Sequence, residues 1–364
     1  MALPQSDRLL MGPGPSPISP QVRAALTAAP RSHLDPDLLA LLDEIRAGLA
    51  RVFRVDAGAT TLAISGTGTA GMEAMVANLV EPGRPALAIV TGYFGDRLAE
   101  MLARYGAAVE RLDVEWGRAV DPDAVKRALS AKRVDVVTVV HGETSTGVVN
   151  PVAEVVALAR DHGAIAIVDA VTSLGAVPFD AAAWGVDACY ACSQKGLGAP
   201  SGLAPILLSA RARARCAGRR SFYFDVELIE DYWLRRRYHH TISAPLVYAL
   251  HAALGEVEAE GLDARWQRHE RHHQALVAGL ARMDLSLLPA ARERLWSLNA
   301  VRVPANVDEA AVRAHLLQRD NIEIGAGLGP LAGKIWRIGL MGSGATADNV
   351  DRVLSALGDA LGRT

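Results

Sequence analysis

Cysteine is scarce in this chain, with three residues in 364. So few exclude a fold stapled by disulfides, and they suit a reducing compartment. An excess of positive charge is missing as well. The 38 basic and 40 acidic residues leave a formal net charge of −2, which argues against a protein that holds nucleic acid or an anionic membrane surface. No apolar run reaches the roughly 18 residues that a transmembrane helix needs. The opening MALPQSDRLLMGPGPSP carries charges and four prolines, where a secretory leader needs an apolar stretch. These absences lead to the expectation of a soluble, cytoplasmic, globular protein with neither nucleic-acid nor membrane partners. Apolar material is plentiful: half of the residues are hydrophobic, enough for a sizeable core. The length suits two domains.

Short apolar runs alternate with amphipathic segments. Buried strands are expected over 86–91, 134–141, 164–169, 188–193 and 203–209, and helices over 96–105, 121–129 and 152–161. Continuous apolar strands spaced by helices point to a parallel sheet covered on both faces. The pattern changes after about residue 245. A long helical stretch, 244–282, is interrupted by Gly261; a strand over 296–303, a helix over 307–319, strand pieces over 322–325 and 335–340 and a helix over 346–361 follow. We therefore expect an extended arm over 1–18, a large domain over 19–260 and a smaller α+β domain over 261–364. The basic cluster 211–220 reads as a surface helix with a solvated face.

Three signals carry chemistry. Lys195 stands between an apolar strand and the loop GLGAPSG. A buried lysine is costly unless paired or neutral, and desolvation turns its amine into a nucleophile able to form a Schiff base. Asp169 ends the strand AIAIVD, on the edge of a parallel sheet where ligands bind. A carboxylate there can keep a pyridine nitrogen protonated. ISGTGTAGMEA, residues 64–74, joins a strand to a helix through small and hydroxyl-bearing residues. Its backbone amides and helix dipole favour a phosphate. Singly, each has an ordinary reading: a loop lysine, a helix cap or loop ion pair, a capped helix. Together they suit pyridoxal phosphate.

With those residues in place, the chain resembles the class V, fold-type I, pyridoxal-phosphate aminotransferases of the alanine/serine–glyoxylate group. The resemblance rests on LLMGPGPSP, SGTGTAGMEA, HGETSTGV, IVDAVTSLG, SQKGLGAPSG, YHHTIS and GLGPLAGKIWRIGLMG, spread over nearly the whole chain. It implies an α/β fold, with a mostly parallel sheet in the large domain and a smaller C-terminal α+β domain. It implies that Lys195 binds the cofactor and moves the substrate proton, and that Asp169 pairs with the pyridine nitrogen. Thr67, Gly68, Thr69 and Gln194 would hold the phosphate, Phe94 would stack on the ring and Thr144 would lie beside it. Tyr238 and Thr241 would reach the phosphate of a neighbouring subunit, making a homodimer with shared sites. Arg337 would grip the substrate carboxylate, as a planar guanidinium does with two parallel hydrogen bonds.

The implied activity is transfer of an amino group from a small amino acid to glyoxylate by a ping-pong route. The ureidoglycine–glyoxylate relatives resemble one another in an asparagine where this chain has Tyr238, and tend to a glutamine where it has His33. An amide can donate to and accept from a ureido group. Its loss favours alanine or serine as donor, with (S)-ureidoglycine as the alternative. A cysteine desulfurase or lyase needs a mobile nucleophilic cysteine, and the last one here is Cys216. A non-catalytic relative would have no use for Lys195, Asp169 and Arg337. Metal is not expected: His239 and His240 lack further ligands at suitable spacing, His269, His272 and His273 read as a solvated helix face, and Cys189 and Cys192 read as core.

Overall fold

A computed structural model describes residues 8–55, 58–216 and 220–362. The apolar runs form one seven-stranded sheet. In chain order its strands are β1 (Thr60–Ser65), β2 (Pro85–Val90), β3 (Ala108–Asp113), β4 (Val136–Val140), β5 (Ile165–Asp169), β6 (Ala188–Tyr190) and β7 (Leu203–Leu208). Across the sheet they lie in the order β1-β7-β6-β5-β4-β2-β3. Every residue of β4 and β5 is buried, so these runs are continuous rather than alternating.

All strands run parallel except β7, which is antiparallel to both β1 and β6. The expectation of one more parallel strand over 203–209 is corrected here. No helix intervenes between β6 and β7. A parallel return needs a crossover, and without one the chain comes back antiparallel.

A second sheet combines β8 (Leu298–Arg302), β9 (Gly325–Ala326) and β10 (Ile335–Gly339), in the order β8-β10-β9. Four helices matter for the site: α1 (Gly68–Leu79), α2 (Tyr93–Arg104), α3 (Ala244–Glu260) and α4 (Leu262–Arg282). Gly261, at φ +79°, separates α3 from α4. Leu250, Leu254 and Val257 of α3 pack in the core of the large sheet, whereas Leu276 and Leu280 of α4 pack in a separate cluster with Trp336 and Ile338 of β10.

Three local expectations change. The arm over 1–18 begins outside the described residues, and its described part is not free. Leu9–Leu10 pairs in parallel with Ile322–Glu323, and Met11 is fully buried in the smaller cluster. Ser16 then donates its amide to Gln194 O at 2.8 Å and its hydroxyl to Lys195 O at 2.9 Å. The segment is a strap from the small core to the large one.

His269 and His273 are buried rather than solvated. Helix α4 lies between the two cores. Arg265 reaches Gly175 O and Gly196 O on one side, and His273 Nδ1 meets Asn299 Oδ1 at 2.7 Å on the other. In the basic cluster, whose residues 217–219 lie outside the described set, Arg211 and Arg213 pair with the buried carboxylates of Asp187 and Glu230 at 2.6 and 2.8 Å. A buried carboxylate needs such a partner, so those guanidinium groups are not merely solvated.

Candidate active site

The C-terminal ends of β1, β2, β4, β5 and β6 open on one cavity. Thr67, Gly68, Thr69, Phe94, Thr144, Asp169, Gln194 and Lys195 all line it, together with Met72, Arg97, Val140 and Val171. Ends of parallel strands gather the backbone turns that lead into helices, so ligand contacts collect there.

Asp169 is the last residue of β5 and is 2% exposed. Its carboxyl accepts from the Tyr190 hydroxyl at 2.7 Å and from the Val171 amide at 2.8 Å. Burial pushes its pKa up to about 7, against the pull of those two donors. Lys195 follows β6 after a short turn. Burial pushes its amine down toward the neutral form, and Nζ donates to the carbonyl of Pro13 in the strap. The strap can come this close because Gly14, at φ +107°, has no side chain; a Cβ there would collide with Nζ.

One end of the cavity lies at the start of α1. Thr67 is the N-cap in extended backbone, yet its hydroxyl makes no capping bond. The cap therefore leaves both a hydroxyl and the first amides of a twelve-residue helix free for a ligand. A Cβ on Gly68 would lie 2.9 Å from Val171 Cγ2, so glycine lets the helix start pack close against the turn that follows β5. Gln194 brings a side-chain Oε1 that is buried without a hydrogen-bond partner. That oxygen calls for a donor, and it is the NH2 end of the same amide that can donate to an anion.

Phe94, the second residue of α2, is placed by Glu143. This carboxyl is fully buried at the start of the helix and accepts from the amides of Phe94, Gly95 and Ser145 and from the Ser145 hydroxyl. Thr144 pairs hydroxyls with Thr172. Its carbonyl accepts from Arg337 Nη1 at 3.4 Å, and Arg337 Nε donates to Ala326 O at 2.6 Å. Arg337, 7% exposed on β10, thus stands beside the cavity through Thr144 rather than in its wall. Burial draws its pKa down to about 10.

Tyr238 and Thr241 are not brought to this cavity. Both are exposed, and the Tyr238 ring lies 5.2 Å from that of His33. Sequence reading passed over Arg97, Glu143, Tyr190 and the Pro13 carbonyl. Tyr190 was hidden in an apolar strand, and Arg97 in an amphipathic helix whose arginines look solvated.

The arrangement fits a flat heteroaromatic ring bearing an anionic group. The open N-terminus of α1, with its free amides and the Thr67 hydroxyl, suits the anionic group. Asp169 offers a carboxyl to a ring N–H, and Lys195 an amine whose charge burial disfavours to an electrophilic carbon. Among the described residues no cluster of three or more histidine, cysteine or acidic side chains could hold a metal ion.

Residues 23–353 match the family model of class V aminotransferases. The chain is similar to the alanine–glyoxylate aminotransferase of Drosophila melanogaster, at 39% identity over 97% of this chain and 92% of that one. It is similar to the (S)-ureidoglycine–glyoxylate transaminase of Bacillus subtilis, at 36% identity over 96% and 89%. Its fold superposes on the crystal structure of an alanine–glyoxylate aminotransferase from Nostoc sp. with a TM-score of 0.95, at 44% identity over 99% and 98% of the two chains.

Proposed function

Because the chain belongs to the class V aminotransferases, and is therefore a transaminase, we propose that it uses pyridoxal phosphate in this cavity to carry the amino group of alanine or serine to glyoxylate. The observation that carries the reading is one cavity lined by Asp169, Lys195 and the open start of α1. When bound, pyridoxal phosphate supplies the electron sink that lets a Cα–H bond break.

Each residue then has a task. Thr67, Gly68, Thr69 and Gln194 hold the phosphate at the positive end of α1. Phe94 would cover one face of the ring, with less area than a tryptophan would give, and Thr144 would bound its side. Asp169, pinned by Tyr190 and Val171, stabilises a proton on the ring nitrogen. Lys195, whose charge burial disfavours, would accept the Cα proton and return it at the other end of the half-reaction. Arg337, steadied by the carbonyls of Ala326 and Thr144, orients the substrate carboxylate.

The donor is argued from two positions that form one patch. His33 and Tyr238 touch, so exchanging both amides for rings alters a single surface rather than two remote ones. A site built to pair a polar substituent discriminates strongly against its absence. The absence of amides from this patch therefore supports alanine or serine. The (S)-ureidoglycine relative supplies the runner-up. The test is kcat/KM for alanine, serine and ureidoglycine with glyoxylate. Alanine or serine should lead; a ureidoglycine value about ten times that of alanine, a gap of 1.4 kcal/mol, overturns the assignment.

The same patch supports a homodimer. Tyr238 and Thr241 are exposed on their own chain and away from its cavity, a placement that suits delivery to a partner's phosphate. Activity should accompany the dimer when mass is measured under assay conditions, and a fully active monomer contradicts the proposal. A desulfurase gains no support, since among the described residues no cysteine lines the cavity. No helix among the described residues is long and apolar enough to cross a membrane. The three free cysteines support a place in the cytoplasm.

A further inference from the structure

The cavity wall holds a basic side chain besides Lys195. Arg97 lies one turn into α2 and lines the same cavity as Thr67, Gly68 and Thr69. Its Nη1 donates to the Thr69 hydroxyl at 3.1 Å. The guanidinium carbon sits 5.0 Å from the centre of the Phe94 ring and 5.2 Å from that of Tyr93. Ring faces fix the plane of a guanidinium without using its N–H groups.

Arg97 forms no ion pair with a carboxylate among the described residues. The nearest acid in sequence, Asp96, is taken by Arg111 at 2.8 Å. A guanidinium carries five N–H donors, and the contacts above use one of them. The surrounding cradle consists of neutral donors: two threonine hydroxyls, the Gln194 amide and the first amides of α1. A phosphate dianion in such a cradle would be balanced only by the partial charge of one helix. Lys195 cannot serve, because its amine is needed at the reacting end.

We propose that Arg97 is the counter-ion of the phosphate held in this cradle. The inference rests on the reading of the cavity as a pyridoxal-phosphate site. Thr69 joins the two parts: by accepting from Arg97 it leaves its own O–H free to donate outward. The arginine therefore acts on the anion through its charge and through an aligned hydroxyl, while its contact with Phe94 braces the ring platform.

The test separates the phosphate from the ring. Cofactor-free wild type, R97Q and R97K are titrated with pyridoxal phosphate and with pyridoxal, and the ratio of the two affinities measures what the phosphate contributes. A charge-assisted contact corresponds to a loss of about tenfold to a hundredfold. R97Q should lose that much of the ratio and R97K less. Inorganic phosphate should raise the melting temperature of cofactor-free wild type, and should do so much less in R97Q. An unchanged ratio in both variants, or in whichever of them folds, overturns the proposal. So does an equal loss for both ligands, which would place Arg97 behind the ring rather than on the phosphate. Wild type that takes up neither compound would instead overturn the functional reading itself. Uptake of both, with the variants unchanged, would overturn only the role of Arg97.

Discussion

Replacing Lys195 by alanine is expected to leave a folded protein that has lost transamination. The fold should survive because Lys195 contributes little to packing. Its amine is held by one backbone carbonyl, that of Pro13, and burial already disfavours its charge. The loop around it has other anchors: Ser16 binds the backbone of both Gln194 and Lys195, and Arg265 binds Gly196 O at 2.8 Å. The phosphate cradle does not include the amine, so the variant should retain affinity for pyridoxal phosphate. Activity should fall by orders of magnitude, because the group proposed to move the Cα proton is gone and water cannot be positioned as well. Single-turnover absorbance with alanine separates the two effects. Near-normal turnover in Lys195→Ala would show that another group moves the proton.

Asp169→Asn should also slow proton abstraction by orders of magnitude. Asparagine keeps the shape and can still accept from Tyr190, but it cannot hold a positive ring nitrogen, and the electron sink depends on that charge. A second readout needs no cofactor. Burial raises the Asp169 carboxyl from its ordinary 3.8 to about 7. Between those values the folded protein keeps a proton that the unfolded chain has released. The unfolded state therefore binds fewer protons, and stability falls as pH rises through that window. Denaturation of the cofactor-free protein should show this slope in wild type, and a shallower one in Asp169→Asn. Identical slopes would mean that the carboxyl is ionised in the folded protein. Normal single-turnover rates in the variant would mean that it has another task.

Both residues were legible in the sequence for one physical reason. Each ends or follows a strand buried on both faces, where a charged side chain stands out against apolar neighbours. The open helix start proposed as the phosphate cradle was legible because small residues follow β1 and open a helix. What escaped notice shares another property: its meaning depends on a neighbour remote in sequence. Tyr190 is one more apolar residue in ACYACS until its hydroxyl is found on Asp169. Glu143 is a loop acid until four donors from two segments converge on it. Arg97 looks solvated until the start of α1 is packed beside it. His269 and His273 follow a helical spacing that fits water on one side, but the two cores close over both. The docking of the strap was illegible for the same reason. Pro-Gly sequence signals extended backbone, and it says nothing of whether that backbone runs through solvent or across a lysine.

The central claim is that Lys195 is the residue that takes the cofactor, and one measurement reaches it directly. The chain has four lysines, Lys126, Lys132, Lys195 and Lys334, and of these only Lys195 lines the cavity. Protein loaded with pyridoxal phosphate is reduced with borohydride, digested, and the modified peptide identified by mass. Modification confined to the peptide carrying Lys195 is the predicted result. Stoichiometric modification of Lys126, Lys132 or Lys334, with Lys195 left unmodified, would contradict it.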